Sequence, residues 1–163
     1  MVTLPKNRIM DIEVKAFDEL SNIELYNVLK LRTEVFVVEQ DCVYNDIDGM
    51  DPQGLHVLAK VNGKIIGYTR LLKAGTRFET ASVGRMVVDK DYRFKGYARL
   101  IMEHSIEYIH QSWTESIIHI SAQQYLKGFY GSIGFKIVTE PYLEDGIPHV
   151  GMDIDVLAMH QSK

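Results

Sequence analysis

Asn62-Gly63 stands between two β-type runs, LHVLAKV (55–61) and KIIGYTRLL (64–72). A two-residue link of that kind joins antiparallel neighbours as a hairpin. Further on, ASVGRMVV (81–88) is β-type. Ala98, Ile101, Met102, Ile106 and Ile109 then recur with helical spacing from Gly96 to His110, and SIIHISA (116–122) is β-type again. Strand, helix and strand in that order make a crossover. The remaining segments fill in around these two constraints. IMDIEVKAF (9–17) alternates as a strand. Residues 21–38 read as a helix, with Ser21 as its cap, Glu24 three residues later, and Leu25, Val28, Leu29, Val35 and Phe36 on one stripe. VVEQDCVYNDIDGMDPQG is a polar loop, 124–132 a short helix, GFKIVTE (134–140) a strand, and PHVGMDIDV (148–156) closes the sheet. The order β, α, ββ, β, α, β, α, β, β makes the fold class α/β (mixed), antiparallel in its first half and with crossover helices in its second.

At 163 residues, with no repeat or linker, the chain reads as a single domain over 1–163, and 46% hydrophobic residues supply its core without staples. The one cysteine, Cys42, forms no internal disulfide and is read as an ordinary thiol, so a reducing, cytoplasmic setting is expected. No run of about 18 apolar residues crosses a membrane, and the first residues lack a signal peptide's apolar segment. The net charge of −4 argues against a nucleic-acid partner, so any phosphate site must be local.

One stretch fits such a site. VVDKDYRFKGYARLIM has the form strand, basic glycine loop, helix. Amide N–H groups at a helix start attract an anion, glycine lets backbone come close to it, and Arg93, Lys95 and Arg99 add charge. The loop lacks the ending of a P-loop and the three glycines of a dinucleotide fingerprint. By itself it is equally a solvated turn.

Arg93-x-x-Gly96-x-Ala98 resembles the coenzyme A signature of the GNAT acyltransferase superfamily. About 25 residues on, AQQYLKGFYGSIGF is similar to that superfamily's second motif, through Gln123, Phe129-Tyr130 and Gly134-Phe135. LRTEVFVVEQDCVYNDIDG, GFYGSIGF and EDGIPHVGM further resemble its ElaA-type branch, so the likeness runs through nearly the whole chain. It departs from the commonest loop in Phe94 and Tyr97 beside the glycine and in Ala98 where glycine is frequent. The resemblance implies a GNAT acyl-CoA N-acyltransferase fold, a central mixed sheet of about six to seven strands flanked by helices. It implies an N-acetyltransferase moving an acyl group from acetyl-CoA directly to a primary amine of a small molecule or peptide, without a metal. Met86, Val87 and Val88 would lie along the pantetheine. The loop Arg93, Phe94, Lys95, Gly96, Tyr97, Ala98 and Arg99 would hold the pyrophosphate, and Gln123 would complete the cofactor site.

Within that frame Tyr130 matches the usual general acid, against a core aromatic as the other reading. Glu39 is the first candidate for the base, against a solvated surface carboxylate. Arg32, His56 and His149 are candidate substrate contacts, and either histidine could also serve as the base, directly or through water. Arg32 is equally read as a buried arginine paired with a carboxylate, and each histidine as a structural one. Asp46, Asp48 and Asp51 lack an EF-hand's spacing. They form either an acidic acceptor-side loop or a solvated turn. RTEVFVVEQ also resembles the start of acyl-homoserine-lactone synthases, a remoter enzyme reading. A noncatalytic CoA-binding module is the alternative of another class. An exposed sheet edge adds homodimerisation to the expectations.

Overall fold

The computed structural model describes residues 2–3 and 9–161. These fall into two compact units, the described residues up to 71 with 85–102, and residues 72–84 with 103–161.

The first unit is built on antiparallel strands. β1 (Val2–Thr3) pairs β2 (Ile9–Ala16), and β2 pairs β3 (Leu55–Val61) from Met10↔Val61 to Ala16↔Leu55. β3 returns as β4 (Lys64–Leu72) through Asn62 at φ 52° and Gly63 at φ 78°, the left-handed pair that a two-residue hairpin needs. Every residue of β4 after Lys64 is buried, so the strand is covered on both faces. Gly67 lets one cover come close: a Cβ there would stand 2.5 Å from Ile101 Cδ1. Between β2 and β3 runs α1 (Asn22–Arg32), started by a reciprocal cap in which Glu24 N–H donates to Ser21 Oγ (3.1 Å) and Ser21 N–H to Glu24 Oε2 (2.9 Å). The helix widens to π-type over Thr33–Glu39, so its span matches the expected 21–38. Its Val28, Leu31 and Phe36 pack with Leu58, Tyr68 and Val87 as the core of this unit.

The second unit centres on β6 (Ile117–Gln123), antiparallel to β9 (Ile147–Asp155) from Ile117↔Asp155 to Gln123↔His149. β5 (Ala81–Val88) belongs to both units. Its Ala81 and Ser82 run parallel to Ile118 and His119, and α2 (Tyr97–Trp113) is the crossover between them. Burial alternates along β6, with Ile118, Ile120 and Ala122 inward and His119, Ser121 and Gln123 on the half-exposed face. α3 (Lys127–Ile133) ends at Gly134 with φ 123°.

One expectation is corrected here, and two elements are added to those expected. The strand expected over 134–140 shrinks to β7 (Lys136–Ile137), because Thr139 turns its hydroxyl to accept from Gly151 N–H (2.8 Å) and Pro141 has no N–H to pair. β8 (Tyr142–Glu144) was not expected. It pairs with the start of β9 through Asp145 and Gly146, both at positive φ. A short α4 (Val156–Gln161) follows β9. Six strands are long among the nine described, and the order β1-β2-β3-β4-β5 continues as β5-β6-β9-β7, with β8 also on β9.

Candidate active site

β5 does not run straight into the basic loop. Arg85 takes φ 56°, a left-handed residue inside a strand, which re-aims the residues that follow. Met86 is half-buried, and Val87 and Val88 face the core. After Val88 one short turn, fastened by Asp91 N–H to Asp89 Oδ1 (3.0 Å), leads into the loop. Phe94 stands at φ 60° and Gly96 at φ 83°. A side chain at Gly96 would meet nothing within 4 Å, so the backbone there is open to a close approach. Tyr97 is buried with its ring 6.2 Å from that of Tyr92, which pins the start of α2 from below. Ala98 and Arg99 are half-buried in the first turn. Lys95 donates to Asp91 O (2.7 Å) and lies 5.3 Å from the centre of the Tyr92 ring.

Arg93 and Glu39 come together. The guanidinium donates to Val88 O (3.1 Å) through Nε and to both oxygens of Glu39, at 2.8 and 2.6 Å. That bidentate bond from Arg93 holds the Glu39 carboxyl below the ordinary range, although burial opposes it. A carboxylate so held is a weaker proton acceptor than a free one, and in this arrangement its place is beside the loop arginine.

Arg32 and His56 are both enclosed. Arg32, with no exposed surface, donates to Asp46 Oδ2 (2.8 Å), Asp51 Oδ1 (2.8 Å) and Asp46 O (3.0 Å). His56, 1% exposed, has Nδ1 at 2.8 Å from Tyr68 Oη and Nε2 at 2.9 Å from Asp51 O. Burial pushes its ring below the ordinary histidine range, so it stays neutral. Neither offers a surface to a substrate. Their part is to hold the loop that carries the three aspartates.

That loop is neither a free acidic patch nor a solvated turn. Arg70 donates to Asp48 Oδ1 and Oδ2 (2.7 Å each) and to Asp51 Oδ1 (2.8 Å). Arg85 Nε lies 2.8 Å from Asp46 Oδ1, an ion pair without hydrogen-bond geometry, and its Nη2 donates to Asp46 O (3.1 Å). Three carboxylates thus meet three guanidiniums. Burial raises the carboxyls of Asp48 and Asp51. The arginine hydrogen bonds outweigh it, so both lie below the ordinary range. The sequence signals for this were Arg70 inside an apolar run and Arg32 on an apolar stripe.

The second motif lies in the second unit. Gln123 ends β6 opposite His149, which is itself buried. Tyr130 in α3 is 8% exposed and has edge-on contacts with Phe129 (5.1 Å) and Phe135 (6.0 Å). Burial, with a smaller contribution from Tyr125, pushes its hydroxyl up to about 12, so it keeps its proton. No described helix is long and apolar enough to cross a membrane.

A basic glycine turn between a strand and a helix, followed in order by the strand and aromatic helix of a second motif, is the arrangement that the resemblance to acyltransferases implies. The family model of the acetyltransferase (GNAT) domain matches residues 18–156, and the chain belongs to that family. Among curated proteins it is similar to Protein ElaA of Escherichia coli (strain K12), 41% identical over 141 residues, which are 85% of this chain and 92% of that one. The crystal structure of Escherichia coli ElaA superposes with a TM-score of 0.84 at 37% identity, covering 90% of this chain and 100% of that one. An acyl-CoA N-acyltransferase from Pseudomonas aeruginosa superposes equally well, at 0.84 and 38% identity, over 90% of this chain and 99% of that one. The fold is therefore the mixed α/β fold of the GNAT acyl-CoA N-acyltransferases, as the motifs implied.

Proposed function

We propose that the chain is an acetyl-CoA-dependent N-acetyltransferase that acylates a primary amine directly, and that residues 1–163 form one such domain. The observation that carries this reading is the loop from Arg93 to Ala98. Its open, left-handed Gly96 and its cations stand at the start of a 17-residue helix, directly after a strand re-aimed at Arg85. These features suit a diphosphate approached by backbone amides. The family match runs through residues of both units, which supports the single domain.

In this reading Met86, Val87 and Val88 line the pantetheine, amides near Val87 meet the oxyanion, and the loop with Gln123 holds the rest of the cofactor. Bringing thioester and amine together supplies up to roughly 7–11 kcal/mol of barrier reduction. Tyr130 gives a proton to the departing sulfur. Its hydroxyl is protonated at neutral pH, as a donor must be at the moment of transfer. Burial that pushes it up to about 12 makes it a weak acid that gives its proton only to the basic departing thiolate.

Thermal midpoints with acetyl-CoA, against ATP and NAD at equal concentration, test the binding. At 100 times its Kd, acetyl-CoA alone adds about 2.7 kcal/mol, a rise of roughly 5 °C or more. No rise at millimolar acetyl-CoA overturns the reading. Tyr130→Phe should keep the midpoint shift and lose about 100-fold or more in kcat. Full activity of that variant across neutral and alkaline pH removes Tyr130 from the acid role.

A further inference from the structure

The half-exposed face of β6, β8 and β9 carries a polar cluster that the reading above leaves unused. Register sets His149 between Gln123 of the second motif and Tyr142 of β8. Its Nδ1 lies 2.7 Å from Ile147 O. A carbonyl only accepts, so Nδ1 carries the hydrogen. In a neutral ring that turns the lone pair of Nε2 toward Glu144 Oε2, 3.3 Å away.

The other donors converge on the same carboxylate. Ser121 Oγ donates to Glu144 Oε2 (3.1 Å), which commits its one proton. At 2.5 Å from Ser121 Oγ, Tyr142 is then the donor of that second bond. Arg77 pairs with Glu144 Oε1, and the Tyr142 ring stacks on the imidazole, 6.2 Å apart and 21° from parallel. Ser121, Arg77 and His149 meet Glu144 directly, and Tyr142 braces Ser121 and His149 behind it. One gap remains, where the Nε2 lone pair faces a carboxylate oxygen. A proton taken up there replaces repulsion with a charge-assisted hydrogen bond. Glu39, gripped by Arg93 at both oxygens, has no such partner behind it.

We infer that Glu144 is the catalytic base for the acceptor, an amine arriving as its ammonium, with His149 the positioning residue that shares the proton. The inference rests on the acyl-transfer reading. The Glu144 side chain is 30% exposed and His149 only 9%, so the carboxylate is the part an amine can touch. One ammonium proton passes to the gap between Glu144 Oε2 and His149 Nε2. The freed nitrogen lone pair forms the bond to the thioester carbon, and the C–S bond breaks. The second proton, carried by the attacking nitrogen, balances the one the sulfur gains. The proton held by the pair leaves to solvent.

Glu144→Gln keeps the acceptor oxygen for Arg77 and Ser121 and cannot take the proton. Thiol release from saturating acetyl-CoA is measured with n-butylamine, charged at neutral pH, and with 2,2,2-trifluoroethylamine, which is uncharged there. The variant should lose about 100-fold or more in kcat/KM for butylamine and little for trifluoroethylamine. Equal loss for both amines, or none, overturns the inference. An unchanged acetyl-CoA midpoint shift shows that the variant is folded, and His149→Gln carries the same comparison should it not fold. If the wild type releases no thiol with either amine, the acyl-transfer reading fails instead. The imidazole 15N spectrum then decides about the pair. A shift of His149 Nε2 on Glu144→Gln with Nδ1 unmoved supports it, and two unmoved nitrogens overturn it.

Discussion

Two sets of arginine–carboxylate pairs lie in the same unit and do different work. Arg32 and Arg70 meet Asp46, Asp48 and Asp51 with side chains at most 19% exposed, and Arg85 joins them at the edge. Arg93 meets Glu39 with both oxygens engaged, yet the side chains are 30% and 40% exposed. Hydrogen-bond lengths are alike in the two places. Burial makes the difference. A buried pair cannot open without stranding a charge in a medium that does not solvate it, so it behaves as architecture. An exposed pair opens into water at little loss, so its members can exchange partners.

The sharpest way to break this contrast is to remove one buried partner. Asp51→Ala leaves Arg32 and Arg70 short of a counter-charge and should destabilise by about 3–5 kcal/mol, on the order of 10 °C in Tm. Urea denaturation checks it, and a loss no larger than that of a surface pair would show the network to be ornamental.

Acid attacks the same set. The folded carboxyls of Asp48 and Asp51 lie below their unfolded values, near 3.9, so below that value the unfolded chain binds more protons and stability falls with pH. The network's contribution is complete above about pH 4 and is lost as pH falls through the folded values. Asp48→Asn should flatten the acid side of a Tm-against-pH curve. An unchanged slope would mean the network does not couple to protons.

The exposed pair should answer in binding rather than stability. Arg93→Ala is expected to move stability by less than about 1 kcal/mol, while acetyl-CoA affinity falls at least tenfold by calorimetry, about 1.4 kcal/mol. Glu39→Gln frees the guanidinium of its competitor and should tighten acetyl-CoA several-fold. Weaker binding would place Glu39 on the cofactor's side. Smallest of all, Lys30→Ala removes an exposed pair with Glu34 on one helix face and should change stability by no more than about 0.5 kcal/mol.

How much of this was legible in the sequence follows from how local each feature is. The Asn62-Gly63 hairpin and the Ser21–Glu24 cap are decided within four residues, and both stand where the pattern put them. The basic loop was visible because strand, glycine and helix follow one another directly. The arginine network joins residues 14 to 39 apart, and Glu144 meets Arg77 across 67. No spacing rule reaches that far. Pairing partners on different strands are set by register, and register here depends on the Asp145-Gly146 turn and the three-residue β8, too short to show an alternating pattern. Arg85 is hidden for another reason. A left-handed residue inside a strand is a product of its neighbours, since arginine has no preference for it.

The three arginines and three aspartates also bind the chain's history. Changing any one sign strands its partners in the interior, so a tolerated replacement must alter two or three codons together. Such a loop is expected to drift slowly, and a comparison of relatives should find these six positions changing together.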